Sequence, residues 1–250
     1  MNNPLAVIDV GMATPIGLDD KRCCAGFRTG VRRFKASPLQ DMYGEPFILS
    51  LIPDNSLPKV SFQLEKEKAL SDREQRIVKI ANLALKDLSI SAAMNAPLII
   101  GWPGSMEHET WNSDSIIKNL HYRARVPFTL ENSRLLSTGR TAGMVALKKA
   151  GEILEAGGAK YVVAGGADSY FDHAQLKYLE KEGRVKSSSA PKGAIGGEGA
   201  CFLLLCTLDT AERNGDSIMT IIEGIESLSH YPFPEKEWQI ASSSSNKIRN

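Results

Sequence analysis

Cysteine and histidine are scarce, with four of each in 250 residues. Cys23 and Cys24 are adjacent, and Cys201 and Cys206 sit five apart in an apolar run. Neither pair has zinc-binding spacing, so reduced, partly buried thiols are expected. His108, His121, His173 and His230 are scattered and form no H-x-x-x-H pair near a carboxylate, so no metal site is expected. Long apolar runs are missing too: no window reaches the roughly 20 residues of a membrane helix. The opening MNNPLAVIDVGM lacks the basic and apolar regions of a secretory leader, which makes the cytoplasm the expected address. Nor does one sign of charge prevail. Thirty basic against 29 acidic residues leave +1, with no footprint for nucleic acid. Small basic clusters such as Arg32 and Arg33 read as solvated surface.

What remains is an ordinary globular composition, 42% hydrophobic and 24% charged, long enough for one large domain or two small ones. PLAVIDVGM reads as a strand, and the segment after it enters a helix with Asp19 and Asp20 near its start, favourable to the helix dipole. Residues 31–70 hold no period and read as irregular. SDREQRIVKIANLALKDLSI is the clearest helix: Ser71 or Asp72 caps it, and Ile77, Ile80, Ala81, Ala84, Leu85 and Leu88 recur at helical spacing. APLIIGW and AKYVVAGGADSY read as buried strands ending in glycine. A helix spans about residues 140–156. GAIGGEGACFLLLCTL is a glycine-rich turn feeding a strand, and a short helix or turn and a last strand follow. Alternating strands and helices predict an α/β fold with a mainly parallel sheet and helices packed on it. Its glycine-rich strand ends would gather at one edge, where open α/β sheets bind ligands.

Two chemistries fail on the residues. GAIGGEG precedes a strand, whereas a dinucleotide loop follows one; AGGADS follows a strand but lacks the third glycine, and no phosphate-binding G-x-x-x-x-G-K-[ST] occurs. The glycines read instead as tight turns and close backbone packing. Ser137, Thr138 and Thr141 crowd a helix entrance where backbone N–H groups could hold an oxyanion. No base and no G-x-S-x-G elbow accompany them, so they read as helix caps.

The order of the pieces carries more than any one of them. GMATPIG (11–17), AGFRTG (25–30), SDREQRIVKIANLALKDL (71–88), LIIGWPGS (98–105), GMVALKKAGEILEAGGAKYVVAGGADSY (143–170), GAIGGEGACFLLL (193–205) and AERNGDSIMTIIEGI (211–225) follow one another as they do in β-ketoacyl synthases. The chain resembles the N-terminal half of that family, whose fold is thiolase-like. The resemblance implies one ketosynthase N-terminal-like domain over residues 1–240; the tail ASSSSNKIRN (241–250), low in hydrophobicity, is expected to be disordered. It implies structural roles for Gly165, Gly166, Gly197 and Gly199. In the family a nucleophilic cysteine opens the helix that LLSTGRTAGMVAL (135–147) enters. Counting back from AGGAD (164–168) places it at Arg140, with no cysteine nearby in sequence. The family's catalytic histidine pair belongs to its C-terminal half, and the chain ends before that half.

These departures imply a pseudoenzyme without cofactor or metal; if active, it would be an acyltransferase. Arg140, Thr138 and Thr141 are candidate ligand-binding residues, with the Arg140 guanidinium an anchor for a carboxylate or phosphate. Ala150, Ile153 and Leu154 mark an apolar helix side that a half-fold would leave uncovered, implying a homodimer or an unlike subunit. The expected function is a non-catalytic adaptor, scaffold or chaperone-like accessory protein. The alternative is a subunit of a fatty-acid or polyketide synthase pathway, pairing with an active ketosynthase or an acyl carrier protein. A third reading keeps residual decarboxylase or acyl-binding function.

Overall fold

A computed structural model describes residues 3–58, 70–88, 95–104, 111–123 and 128–225, with only the backbone of Arg123. The expected tail over 241–250 lies outside these residues. In chain order the elements are β1 (Leu5–Ala13), α1 (Asp20–Arg28), β2 (Lys35–Gln40), β3 (Pro46–Ser50), α2 (Asp72–Asp87), β4 (Pro97–Trp102) and α3 (Ser113–Arg123). β5 (Thr129–Ser137), α4 (Ala142–Glu155), β6 (Val162–Ser169), α5 (His173–Lys181), β7 (Gly196–Thr207), α6 (Leu208–Asn214) and β8 (Thr220–Ile222) follow.

Local chemistry explains the strongest elements. α2 opens on a capping box: Ser71 Oγ accepts from the Glu74 N–H at 3.2 Å, and the Glu74 carboxylate accepts from the Ser71 N–H at 2.8 Å. Its periodic face, Ile77 through Leu85, is buried. Asp19 caps α1 by accepting from the Arg22 N–H at 2.7 Å. All six residues of β4 are buried, as a central strand covered on both faces requires. Residues 31–70 are not irregular throughout. β2 and β3 form an antiparallel hairpin there, disguised because β2 carries Pro38 and buries only Ser37.

The sheet runs β5-β4-β6-β7-β1-β8, with the β2–β3 hairpin attached through β3 to the start of β7. The sheet is mixed rather than mainly parallel. β4 pairs parallel with β5 and β6, and β3 parallel with β7, but β7 is antiparallel to both β6 and β1. The cause is the connection between β6 and β7. α5 and its loop leave and rejoin the sheet at one edge, since Ser169 faces Glu198 across the pair, so the chain reverses instead of crossing over.

Helices cover both faces. α2 and α3 close one side over Ile77, Ile80, Leu98, Ile100, Phe128 and Phe202. α4 closes the other, burying Ala146, Ala150 and Leu154 against Ile99, Val162, Ala164 and Leu205. The apolar side of α4 therefore packs on its own sheet, with Ile153 half-buried beside it. This corrects the expectation that Ala150, Ile153 and Leu154 stand uncovered: a helix laid on β4 and β6 buries its apolar stripe there. Among the large apolar residues of α4, Met144 is the exposed one, at 58%.

Candidate functional site

The site lies at the C-terminal ends of β4 and β6, where α4 begins. At the end of β5, Ser137 Oγ donates to the Pro103 carbonyl at 2.7 Å. The chain then turns through a single 3-10 turn, Gly139–Thr141, opened by Gly139 at φ +71°. α4 starts directly against β4. A Cβ on Gly101 would stand 2.4 Å from the Ala142 carbonyl carbon, so only glycine lets the helix mouth sit this close.

The implied structural glycines differ in how tightly they are held. A Cβ on Gly165 would meet the Cys201 carbonyl oxygen at 2.0 Å, which forbids any side chain. At Gly166, Gly199 and Gly197 the nearest atoms lie at 3.3, 3.2 and 3.4 Å, so close packing at these three is less demanding.

Arg140 is exposed and lines a pocket of about 340 Å³ together with Thr14, Gly143, Asp168 and Cys201. Thr138 and Thr141 are exposed, do not line it and make no capping hydrogen bond. The expectation that they cap the helix is thus corrected. Thr141, at φ −92° and ψ 0°, continues the turn and lacks the extended geometry of a cap, and the Ala142 N–H is taken by the Gly139 carbonyl.

Sequence distance concealed one lining residue. Cys201 lies far from Arg140 along the chain, but the β6–β7 pairing sets it opposite Gly166, at the pocket. Burial pushes its thiol pKa up, and Cys23 and Cys24 add to the shift. A thiol held protonated is a weak nucleophile at neutral pH. The described histidines lie elsewhere: His121 meets Phe128 edge to face, and His173 is exposed beside the Gln40 carbonyl. His108 and His230 fall outside the described residues.

Sequence reasoning matched two motifs beside this pocket without seeing that they meet. Glu198, its side chain fully buried, receives Arg76 Nε at 2.7 Å and Nη2 at 2.8 Å. It also accepts from Ser169 Oγ and the Ile52 N–H, each at 2.7 Å. Arg76 bonds Asp54 at 2.7 Å and lies 4.5 Å over the Phe171 ring. Burial alone would lower the Arg76 pKa, but the hydrogen bonds and charges of Glu198 and Asp54 outweigh it and raise it. Arg73 reaches Asp168 at 3.5 Å and the Ser169 carbonyl at 3.4 Å. Two arginines of α2 thereby fix the ends of β6 and β7, which form the pocket wall. A buried carboxylate and an arginine in α2 are the signal that could have revealed this.

No family model matches the sequence. Polyketide synthase GfsA from Streptomyces halstedii is 34% identical over 121 residues, which cover 45% of this chain and 2% of that protein. Among solved structures, the oxazolomycin ketosynthase domain OzmH KS7 of Streptomyces albus JA3453 superposes with a TM-score of 0.67 over 88% of this chain at 15% identity. The chain carries a ketosynthase-like thiolase fold. A second structure, the ishigamide ketosynthase/chain length factor, gives a TM-score of 0.63 at 18% identity, again over 88% of this chain. The ketosynthase-like chain spans 45% of the first of these structures and 62% of the second. Among its described residues, no helix is long and apolar enough to cross a membrane.

Proposed function

We propose that this chain serves a polyketide-synthase-type assembly as a non-catalytic, partner-binding ketosynthase-like unit. The observation that carries the reading is Arg140 at the mouth of α4, where the family resemblance places a nucleophilic cysteine. Arginine stays protonated and cannot carry an acyl group. The thiol that lines the same pocket, Cys201, has a raised pKa. Similarity to a ketosynthase/chain length factor pair supports pairing with an active synthase over a free-standing adaptor or chaperone-like role, and an acyl carrier protein belongs to the same circle of partners. Under this reading Arg140 is a recognition group for a carboxylate or phosphate, not a participant in condensation.

The test is mass spectrometry of the purified protein after incubation with acyl-CoA. No stoichiometric adduct is expected on any of the four cysteines, and Arg140→Cys should leave condensation of malonyl and acyl thioesters at background. Neither described histidine, His121 or His173, lines the pocket, so the introduced thiol would lack a neighbouring imidazole base, a contribution worth orders of magnitude. A stable adduct on the wild-type protein, or turnover by the single variant, would overturn the reading.

A further inference from the structure

α1 ends on a turn closed by its own backbone. The Gly30 N–H donates to the Phe27 carbonyl at 3.1 Å and the Val31 N–H to the Gly26 carbonyl at 2.9 Å. Gly30 stands in the left-handed region at φ +68°, and Thr29 Oγ1 adds a bond to the Ala25 carbonyl at 2.8 Å. A helix end satisfied in this way holds the chain beyond it in a fixed direction. That direction is outward. Every residue of 27–36 is exposed, and a Cβ on Gly30 would have nothing within 4 Å. The segment therefore projects from the fold and lines no groove.

What it holds out is apolar and basic by turns. Phe27 is 82% exposed, Phe34 49% and Val31 41%, with Arg28, Arg32, Arg33 and Lys35 between and beside them. From residue 21 to residue 40 the chain carries six cations and no carboxylate. Arg22 is taken by Asp19 at 3.3 Å. Among the described residues Lys21, Arg28, Arg32, Arg33 and Lys35 are in no ion pair. The carboxylates nearest in the chain are engaged or remote. Asp19 and Asp20 stand at the opposite end of α1, where Asp87 also accepts from the Asp20 N–H at 2.8 Å. Asp41 and Glu45 stand beyond the far end of β2, and β3, the strand paired with it, carries no charge. Single apolar side chains on a surface need no explanation. Reading Arg32 and Arg33 as solvated surface accounts for the charge, but not for two phenylalanines and a valine set among the cations.

We propose that residues 27–35 dock this chain on the surface of an anionic lipid bilayer. Phe27, Val31 and Phe34 enter the boundary between headgroups and acyl chains, and Arg28, Arg32, Arg33 and Lys35 meet the lipid phosphates. Attachment of this kind gains from buried apolar area and from attraction to anionic lipid together, and this segment offers both within a few residues. Its outward projection decides against single-stranded nucleic acid, which binds along a basic groove. A projecting segment can instead meet a plane along its whole length. Docking on the surface needs no helix that spans the membrane. The inference is independent of the partner-binding reading above, because neither Arg140 nor its pocket takes part.

The test is sedimentation of the whole protein with vesicles of phosphatidylcholine and phosphatidylglycerol in equal parts, against vesicles of phosphatidylcholine alone. Binding is expected to the mixed vesicles only, and should weaken as salt is added. Arg32→Glu with Arg33→Glu should lower the affinity by about tenfold or more. Phe27→Ser with Phe34→Ser, which changes no charge, should lower it by about fivefold. Lys149→Glu, an exposed charge change on α4, should leave it unaltered, and circular dichroism should match wild type throughout. Three results overturn the proposal: no binding to the mixed vesicles, unchanged affinity in either pair of variants, or equally tight binding of a single-stranded DNA oligonucleotide that the same variants abolish. None of them touches the Arg140 reading, which an acyl adduct alone would overturn without affecting the vesicle result.

Discussion

The entrances of α2 and α4 are opposites. α2 starts with a capping box, has Asp72 and Glu74 in its first turn, and sends Arg73 and Arg76 back to buried or half-buried carboxylates. Arg73, Glu74 and Arg76 each have a partner there, and the dipole is served by anions. α4 starts without a side-chain cap, has no acidic residue in its first turn, and holds the cation Arg140 at its positive end. That placement is unfavourable by about 0.3–1 kcal/mol. The α2 entrance is organised for stability and the α4 entrance is not, although both border the same strand ends. The contrast locates the place where the fold tolerates an energetic penalty, and so where a ligand or partner with negative charge would gain most.

Three substitutions sharpen or break this contrast. The largest effect is expected from Glu198→Gln, which leaves the Arg76 guanidinium buried without its main partner. Urea denaturation should show a loss of about 3–5 kcal/mol, and a loss below that range would mean that Asp54 suffices. Ser71→Ala removes one cap of α2 and should lower stability by about 1 kcal/mol in the same assay. The smallest change is opposite in sign: Arg140→Asp should raise stability by about 0.3–1 kcal/mol, because an anion replaces a cation at the dipole's positive end. A destabilised Arg140→Asp protein would show that the guanidinium already has a stabilising role, and the two entrances would no longer contrast.

How much of this was legible in the sequence followed from burial. β1, α2, β4, α4, β6 and β7 announce themselves because each has a continuous apolar run or a helical stripe. β5 does not. TLENSRLLS is an edge strand with one buried residue, Ser133, and a distortion around Asn132 at φ +62°, which erases any alternation. α5 escapes notice because its buried face is Leu176, Leu179 and Glu180, a charged residue among two leucines. At the site, Arg140 is found by counting along a motif, a local operation. Cys201 and the Arg76–Glu198 pair come from strand pairings and helix packing between distant segments, which no local pattern encodes.

The pairing of β1 with β7 also sets a timetable. Leu5 lies opposite Thr207 and Ala13 opposite Ala200, so the first strand meets its partner roughly 200 residues later in the chain. A ribosome adding about 5–20 residues per second leaves LAVIDVGMA unpaired for some tens of seconds. Throughout that interval an apolar strand waits with both backbone edges open, and the sheet cannot close until nearly all of the described chain has emerged. Contacts this remote make folding slow, which makes the opening strand the segment most exposed to chaperones and to mispairing during synthesis.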